Sequence, residues 1–281
     1  MHIALIYATW PVTPFGATWY KLAERLRAAG LARALTEAGH EVEEHVLTVS
    51  GPAATETRGA FELSAQIAEH CRAAAETGAL PVILCGSCCT ASVGAVAGLG
   101  GDGTGIVWMD AHPDLNTPET SGSGLLDGMA LATALGECWT HMAGQVAGLR
   151  AASAANVCLF GARDIDPGEA RFIAAHGIPN VGSAEQATRH LAASDRVYVH
   201  LDMDVHDALA LRTNSFAIAG GPSAETVRGA LVEIARALPL GALSITGLDP
   251  DARDGELAMS IATDHIRAVC DSLSAPNGLT A

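Results

Sequence analysis

Short apolar runs alternate with longer alanine-rich, amphipathic stretches along most of this 281-residue chain. The runs have the length and β-branched content of strands, and the stretches between them have the apolar period of helices. Because parallel strands need crossover connections, the alternation predicts a mostly parallel sheet with helices on both faces. We therefore expect an α/β fold, a three-layer α/β/α sandwich, formed as one domain over residues 1–281.

The predicted elements follow directly from this pattern. Strands are expected at residues 3–7, 42–47, 81–84, 105–110, 157–160, 197–202 and 242–248, with a weaker one near Ile178. Helices are expected at residues 20–37, 61–76, 128–135, 167–175, 224–237 and 256–272. Residues 98–103 fit G-x-G-x-x-G, but they precede a strand instead of opening a helix after one, so they are interpreted as a loop.

Composition excludes several classes of partner. The net charge is -15, and Lys21 is the single lysine, so a phosphate-backbone partner is not expected. No run approaches the roughly 18 apolar residues of a membrane helix, and residues 2–8 do not form a basic leader. We expect a soluble, cytoplasmic protein with no membrane partner, and the sequence leaves open whether it forms a homo-oligomer. The cysteines are too irregular for a disulfide scaffold and are expected to be reduced: Cys71, Cys85, Cys88, Cys89, Cys138, Cys158 and Cys270.

Acidic side chains collect where predicted strands end. Asp110, His112 and Asp114 are spaced two apart after one strand, and Asp202 and Asp204 follow another. Alternate residues of a strand project from the same face, and ligands of parallel sheets bind outside the carboxyl ends of the strands. A single such aspartate would more often cap a helix or turn, but two clusters at equivalent ends indicate a common site.

The donors in these clusters favour a metal centre. Four carboxylates and one imidazole exceed what a tetrahedral zinc ion requires. They suit two divalent ions about 3.5–4 Å apart that share carboxylates and activate a water. Because the donors are mostly oxygen, two Mn²⁺ ions are the expected cofactors.

Residues 110–118, with the sequence DAHPDLNTP, resemble the D-A-H-x-D-x-N-T-P motif of the arginase or ureohydrolase family. Residues 201–207 resemble its second aspartate motif, and residues 84–89 fall where the family carries L-G-G-D-H-S. The resemblance implies a metal-dependent hydrolase of guanidino or related amidino groups. It further implies that Asp110 and Asp202 bridge two ions, that Asp114 and Cys88 complete one, and that His112 and Asp204 complete the other. On the same pattern, Asp114 also orients the attacking water and handles its proton.

Cys88 departs from the family pattern, because it stands where the family has a histidine ligand. An apolar-flanked cysteine is ordinarily a buried structural residue. At a ligand position, coordination is the favoured interpretation, and a charged thiolate would weaken the preference for manganese.

Asp127 stands where the resemblance places a histidine that shuttles protons. A carboxylate can relay protons if burial raises its pKa. Capping of the helix predicted to start at Gly128 is the alternative.

The amino-acid end of the substrate has matching positions. Asn116 and Ser123 correspond to family residues that hold an α-carboxylate, and Asp166 to one that contacts an α-amino group. The resemblance therefore implies a small α-amino-acid substrate of arginine length. Taken alone, the segment around Asp166 would indicate only an acidic helix N-terminus.

Gly247 replaces the family glutamate that pairs with the guanidinium, and Ser244 replaces an upstream aspartate. Losing a buried carboxylate should weaken binding of arginine by several kcal/mol. N-hydroxyguanidine is less basic and slightly bulkier, so Gly247 fits it better. Within the family, the chain resembles the branch acting on N-omega-hydroxy-L-arginine in D-cycloserine biosynthesis, which implies L-ornithine and hydroxyurea as products.

Other interpretations stay open. The chain is alternatively an arginase or another guanidino or formimino amino-acid hydrolase, an inactive family member that serves as an interaction partner, or a cysteine hydrolase. The remaining histidines, His200 among them, are expected at the surface or in helix packing. Trp10, Phe15 and Trp19 are expected either at the pocket mouth or in burying an N-terminal helix.

Overall fold

Eight parallel strands form one sheet at the centre of the protein. The computed structural model describes residues 1–10, 17–50 and 55–274, and Phe15 lies outside them. The strands are β1 (His2–Thr9), β2 (Glu41–Thr48), β3 (Leu80–Cys85), β4 (Thr104–Met109), β5 (Val157–Phe160), β6 (Asn180–Val181), β7 (Arg196–Asp202) and β8 (Leu240–Thr246). Their order in the sheet is β2-β1-β3-β8-β7-β4-β5-β6. The predicted strands agree with these bounds within about two residues at either end.

Helices cover both faces of the sheet. They are α1 (Leu22–Ala28), α2 (Leu31–Glu37), α3 (Glu56–Thr77), α4 (Cys88–Leu99), α5 (Ala130–Ala134), α6 (Thr140–Ala143), α7 (Pro167–His176), α8 (Ala184–His190), α9 (Ala224–Ala237) and α10 (Gly255–Ser274). Short 3-10 turns occur at Thr18–Lys21, Asp127–Met129, Ala154–Asn156 and Met203–Val205. None of the helices within the described residues is long and apolar enough to cross a membrane.

Two hydrophobic layers, one on each face, hold the helices to the sheet. In β1, Leu5 belongs to the layer formed with α1, α2, α8, α9 and α10. The next residue, Ile6, belongs to the opposite layer, formed with α3, α4 and α5. This alternation is the two-residue period of a strand buried on both faces. The expected three-layer α/β/α fold is confirmed.

One helix prediction was wrong, and three helices, α4, α6 and α8, were not among those predicted. The helix expected at residues 20–37 is divided into a 3-10 turn, α1 and α2, because Gly30 adopts φ 87° between the two α-helices. Helix α4 was missed because every one of its residues is buried. A helix that is apolar on all sides lacks the amphipathic period by which helices are recognised.

Candidate metal centre and substrate pocket

A cavity of about 380 Å³ opens at the carboxyl ends of the four central strands, β3, β8, β7 and β4. The predicted metal and substrate residues all line it: Cys88, Asp110, His112, Asp114, Asn116, Ser123, Asp127, Asp166, Asp202, Asp204 and Gly247. Each follows a strand end or a loop that returns to this edge of the sheet. The topology therefore gathers residues from five separate stretches of the sequence into one pocket.

One group of potential ligands lies at the cysteine end of the pocket. Cys88, Asp110, His200 and Asp202 each offer a donor atom, and these atoms all lie within 4.8 Å of one another. Cys88 is the first residue of α4, which fixes it directly after β3. Its Sγ lies 3.2 Å from Oδ2 of Asp202. We call this set of four the cysteine group.

A second group consists of Asp110, His112 and Asp204. The Nδ1 atom of His112 lies 3.3 Å from Oδ1 of Asp110 and 3.4 Å from Oδ2 of Asp204. We call this set the histidine group. Asp110 belongs to both groups, as expected for a carboxylate that bridges two ions. Asp202 belongs to the cysteine group alone, and Asp114 lines the same pocket outside both groups.

The charges of the buried acids show why this site fits cations. Burial, followed by repulsion from Asp110, raises the pKa of Asp114 well above that of an ordinary carboxyl. Burial and the nearby Asp204 also raise the pKa of Asp202 well above its ordinary value. The same two causes raise the pKa of Asp110 to about 7. Burial also raises the pKa of the Cys88 thiol. In the absence of a cation these groups favour protons, and a divalent ion would take the place of those protons.

His112 and Asp204 form the one strongly stabilised pair of opposite charges in the histidine group. Although burial opposes it, hydrogen bonds to Asp110 and Asp204 raise the pKa of His112 to about 12. Burial also opposes ionisation of Asp204, but His112 lowers the pKa of that carboxyl to about 2. A metal bound at this position would replace the proton that His112 shares with the two carboxylates.

The backbone and one amide hold these carboxylates in place. The backbone N–H of His112 donates to Oδ1 of Asp110 at 2.7 Å, and that of Ala111 donates to Oδ1 of Asp204 at 3.2 Å. Asn214 Nδ2 donates to Oδ2 of Asp204 at 3.3 Å and to the carbonyl of Gly247 at 2.6 Å. These donors orient the acids towards a shared centre, so little reorganisation is needed when an ion binds.

His200 was misassigned from the sequence. It was expected at the surface or in helix packing, but it lies in strand β7 with no exposed surface and belongs to the cysteine group. Its ring stacks on Trp108 with centroids 3.7 Å apart. Burial lowers the pKa of His200 to about 3, so the imidazole is neutral. The signal for it was present, because His200 and Asp202 have the same two-residue spacing as Asp110 and His112.

Asp127 caps a different helix from the one expected. Its Oδ1 accepts hydrogen bonds from Ser87 Oγ at 2.6 Å and from the backbone of Cys89 at 3.2 Å, both at the N-terminus of α4. The expectation that it caps the segment starting at Gly128 is corrected accordingly. Burial raises the pKa of Asp127 to about 6, and the carboxyl also lines the pocket.

The amino-acid end of the pocket is built around an amide and a carboxylate. Asn116 Nδ2 donates to Oδ2 of Asp166 at 2.9 Å. Asp166 is also the N-cap residue of α7, so the acidic helix N-terminus indicated by the sequence is present. The same residue lines the pocket. Buried Glu169 accepts from the backbones of Leu115 and Asp166 at 3.0 and 2.8 Å, which ties α7 to the loop after β4. Ser123 is exposed at the rim.

Gly247 follows β8 with a φ of 59°, a conformation that favours glycine. A Cβ at this position would overlap the carboxylate of Asp202. The volume of a side chain at position 247 is therefore occupied by Asp202. The argument for substrate selection depends on the missing carboxylate and not on added room.

Sequence reasoning missed further pocket residues. Glu56 lines the cavity and accepts a hydrogen bond from Tyr20 Oη at 2.6 Å. Trp19 and Phe216 meet edge to face at the pocket with centroids 5.9 Å apart, so Trp19 does line the site. Trp10 is buried in the core instead. Glu56 and Phe216 belong to no recognisable motif.

Comparison with known proteins bears on this arrangement. The sequence profile of the arginase family matches residues 15–270. The arginase of Bacillus subtilis (strain 168) is 37% identical over 117 residues, covering 37% of this chain and 38% of that protein. The N(omega)-hydroxy-L-arginine amidinohydrolase of Streptomyces lavendulae is 29% identical over 174 residues, covering 60% of this chain and 61% of that protein. The aligned regions thus span less than two thirds of the length of either relative.

Solved structures share the fold over nearly the whole chain. A crystal structure of Bacillus subtilis arginase superposes with a TM-score of 0.83 at 23% identity and covers 98% of this chain and 99% of that one. Bacillus caldovelox arginase gives a TM-score of 0.83 at 24% identity, covering 96% and 98%. A Trypanosoma cruzi formiminoglutamase variant with Mn²⁺ gives a TM-score of 0.72 at 13% identity. It covers 98% of this chain and 94% of that one.

Proposed function

The chain belongs to the arginase family, and on that premise we propose that it hydrolyses N-omega-hydroxy-L-arginine to L-ornithine and hydroxyurea. Water adds to the guanidino carbon, and the bond from that carbon to the ornithine nitrogen breaks, so the atoms of substrate and water balance. This reaction would place the enzyme in D-cycloserine biosynthesis. The motif-based assignment to the family is confirmed by the profile match.

The substitution at position 247 supports this substrate. The amino-acid end retains Asn116 and Asp166 in hydrogen-bond contact. At the other end, Gly247 contributes no side-chain carboxylate, and its backbone carbonyl accepts a hydrogen bond from Asn214. A fully charged guanidinium would lose its ion pair there, whereas the weakly basic N-hydroxyguanidine loses less.

The metal ligands proposed for this activity are Cys88, Asp110, His112, Asp114, Asp202 and Asp204, with Mn²⁺ as the ion expected from the oxygen-rich donors. When bound, two such ions would supply a water of lowered pKa and positive charge for the developing oxyanion.

The protein's own groups supply positioning and proton transfer. Asp166 receives the α-amino group, while Asn116 and Ser123 face the α-carboxylate. Asp114, which lines the same pocket, is placed to orient the attacking water and to take up its proton. Asp127, with its pKa raised to about 6, is placed to pass a proton towards the leaving ornithine nitrogen.

The deciding experiment compares L-arginine and N-omega-hydroxy-L-arginine side by side with manganese-loaded protein, assaying ornithine, urea and hydroxyurea. We expect a strong preference for hydroxyarginine. Faster urea release from arginine would refute the proposal. Absence of turnover together with absence of stoichiometric metal would indicate the inactive family member instead.

Ordinary arginase activity is the second candidate, and Glu56 favours it. This carboxylate lines the pocket beside Tyr20 and is not part of the motifs described above. If Glu56 reaches the head group, it replaces the charge missing at position 247. Glu56→Gln would then selectively reduce turnover of arginine.

A further inference from the structure

His200 is completely buried in β7 and lies beside the predicted metal ligands. It sits two residues before Asp202 on β7, so both side chains leave the strand on the same face. Its Nε2 lies 3.2 Å from Oγ1 of Thr246 and 4.0 Å from Oδ2 of Asp110. Oγ1 of Thr246 also lies 3.4 Å from Sγ of Cys88 and 3.4 Å from Oδ2 of Asp202, so the nitrogen contacts a hydroxyl at the edge of the cysteine group.

The four donor atoms lie within 4.8 Å of one another, and two of their separations are close to those expected around a single ion. Metal–ligand distances of about 2.0–2.3 Å in a tetrahedral site place neighbouring donors roughly 3.3–3.8 Å apart. The Cys88–Asp202 separation of 3.2 Å and the His200–Asp110 separation of 4.0 Å bracket this range. Small side-chain shifts would thus close the cysteine group around one ion.

The other ring nitrogen is held as in metal-binding histidines. Nδ1 of His200 lies 3.0 Å from Tyr198 Oη and 3.1 Å from Ser244 Oγ, and all three side chains are completely buried. A histidine ligand commonly donates its second N–H to such a partner, which fixes the ring and its tautomer. Stacking on Trp108 restricts the ring further.

We propose that His200 is a further ligand of the ion at the cysteine group, adding an imidazole to the thiolate of Cys88 and the carboxylates of Asp110 and Asp202. Sulfur and nitrogen donors suit zinc, cobalt or iron(II), whereas manganese prefers oxygen. The cysteine group should therefore bind softer ions more tightly than the histidine group does. This inference requires metal binding but is independent of the proposed substrate.

Cobalt titration of the metal-free protein tests the ligand directly, without turnover. Thiolate coordination produces a charge-transfer absorption band, and the visible ligand-field bands respond to coordination number and geometry. In His200→Gln we expect the charge-transfer band to remain, the ligand-field bands to change, and cobalt affinity at this position to fall at least about tenfold. Cys88→Ser should remove the charge-transfer band. His265→Gln, which alters another buried histidine outside the pocket, is the matched control and should titrate like the wild type.

Unchanged ligand-field bands and affinity in His200→Gln would overturn the proposal and leave His200 as a packing residue. Should that variant fail to fold, zinc-edge X-ray absorption on the wild-type protein loaded with one equivalent of zinc decides the matter. Scattering from sulfur and imidazole together supports ligation by Cys88 and His200, and sulfur without imidazole overturns it.

Discussion

The Sγ atom of Cys88 lies 3.2 Å from Oδ2 of Asp202, although 114 positions separate the two residues in the sequence. Strands β3 and β7 flank β8 in the sheet, and the two residues follow their carboxyl ends. The contact joins a thiol and a carboxyl that each favour a proton when no cation is present. It therefore marks the place where metal binding and protonation compete most directly.

Removing the thiol should empty one of the two metal positions. We expect Cys88→Ala to lose close to one equivalent of metal, because three donors then remain in the cysteine group. Cys158→Ala, which changes an equally buried cysteine in β5, should keep both equivalents. Elemental analysis after dialysis measures the content. Full metal occupancy in Cys88→Ala would exclude a ligand role for this residue.

The metal-free protein should lose stability as pH rises from about 6.5 to about 8. Asp110, Asp114 and Asp202 have raised pKa values, so the folded state binds protons that the unfolded chain has released. Their contribution is present at low pH and declines as pH passes through the folded-state values. His200, with its pKa lowered to about 3, is neutral in the folded state throughout this window. In the unfolded chain it is about half charged at pH 6.5 and neutral near pH 8, so it opposes the trend at the lower end alone.

Metal should reverse that dependence, because ions bind the deprotonated ligands. Chemical denaturation at about pH 6.5 and about pH 8 measures how the free energy of unfolding changes with pH in the metal-free and in the metal-loaded protein. With metal at about 100 times its Kd, the loaded protein gains about 2.7 kcal/mol. Equal slopes with and without metal would contradict a cation site built on these acids.

Gly247→Ala should cost more stability than its backbone angle alone explains. The new Cβ would overlap the Asp202 carboxylate, so metal affinity should fall as well. Gly177→Ala is the control, since Gly177 has a similar φ of 65° and no atom within 4 Å of an added Cβ. The control should lose about 1–3 kcal/mol by chemical denaturation, with metal affinity unchanged. Matching losses in the two variants would show that the contact with Asp202 is not tight.

Asp127→Asn should separate proton transfer from capping. The amide oxygen can still accept from Ser87 and from the backbone of Cys89, so we expect a stability loss below about 1 kcal/mol. If Asp127 passes a proton, kcat should fall about 100-fold or more and the step near pH 6 should leave the kcat profile. An unchanged kcat and profile would reduce Asp127 to a capping residue.

Asp166→Asn should weaken binding of substrates that carry an α-amino group. We expect KM for hydroxyarginine to rise at least about tenfold, because a charge-assisted contact is lost. An N-hydroxyguanidine without the amino group should show no change between wild type and variant. Steady-state kinetics with both compounds supplies the comparison, and a parallel rise in both KM values would assign Asp166 to supporting α7 alone.

The site could be predicted from sequence where its residues follow the period of a strand. Asp110 and His112 keep a two-residue spacing directly after β4, which ends at Met109, so their shared site was predicted although the strand itself does not continue to His112. His200 follows the same rule two residues before Asp202, but it lies inside an apolar run and was grouped with packing residues. Glu56 reaches the pocket from α3, and Phe216 reaches it from a loop, so neither is readable from local spacing.

Helix α4 could not be predicted from an amphipathic pattern, because its sequence is apolar on every side. Burial of all twelve residues also has a consequence for how this centre can change. The backbone of Cys88, at the start of that helix, cannot shift to accommodate another ion without repacking the layer between α3 and the sheet. We therefore expect metal preference to change through substitution of ligand side chains, such as the one at position 88, on a backbone that stays fixed.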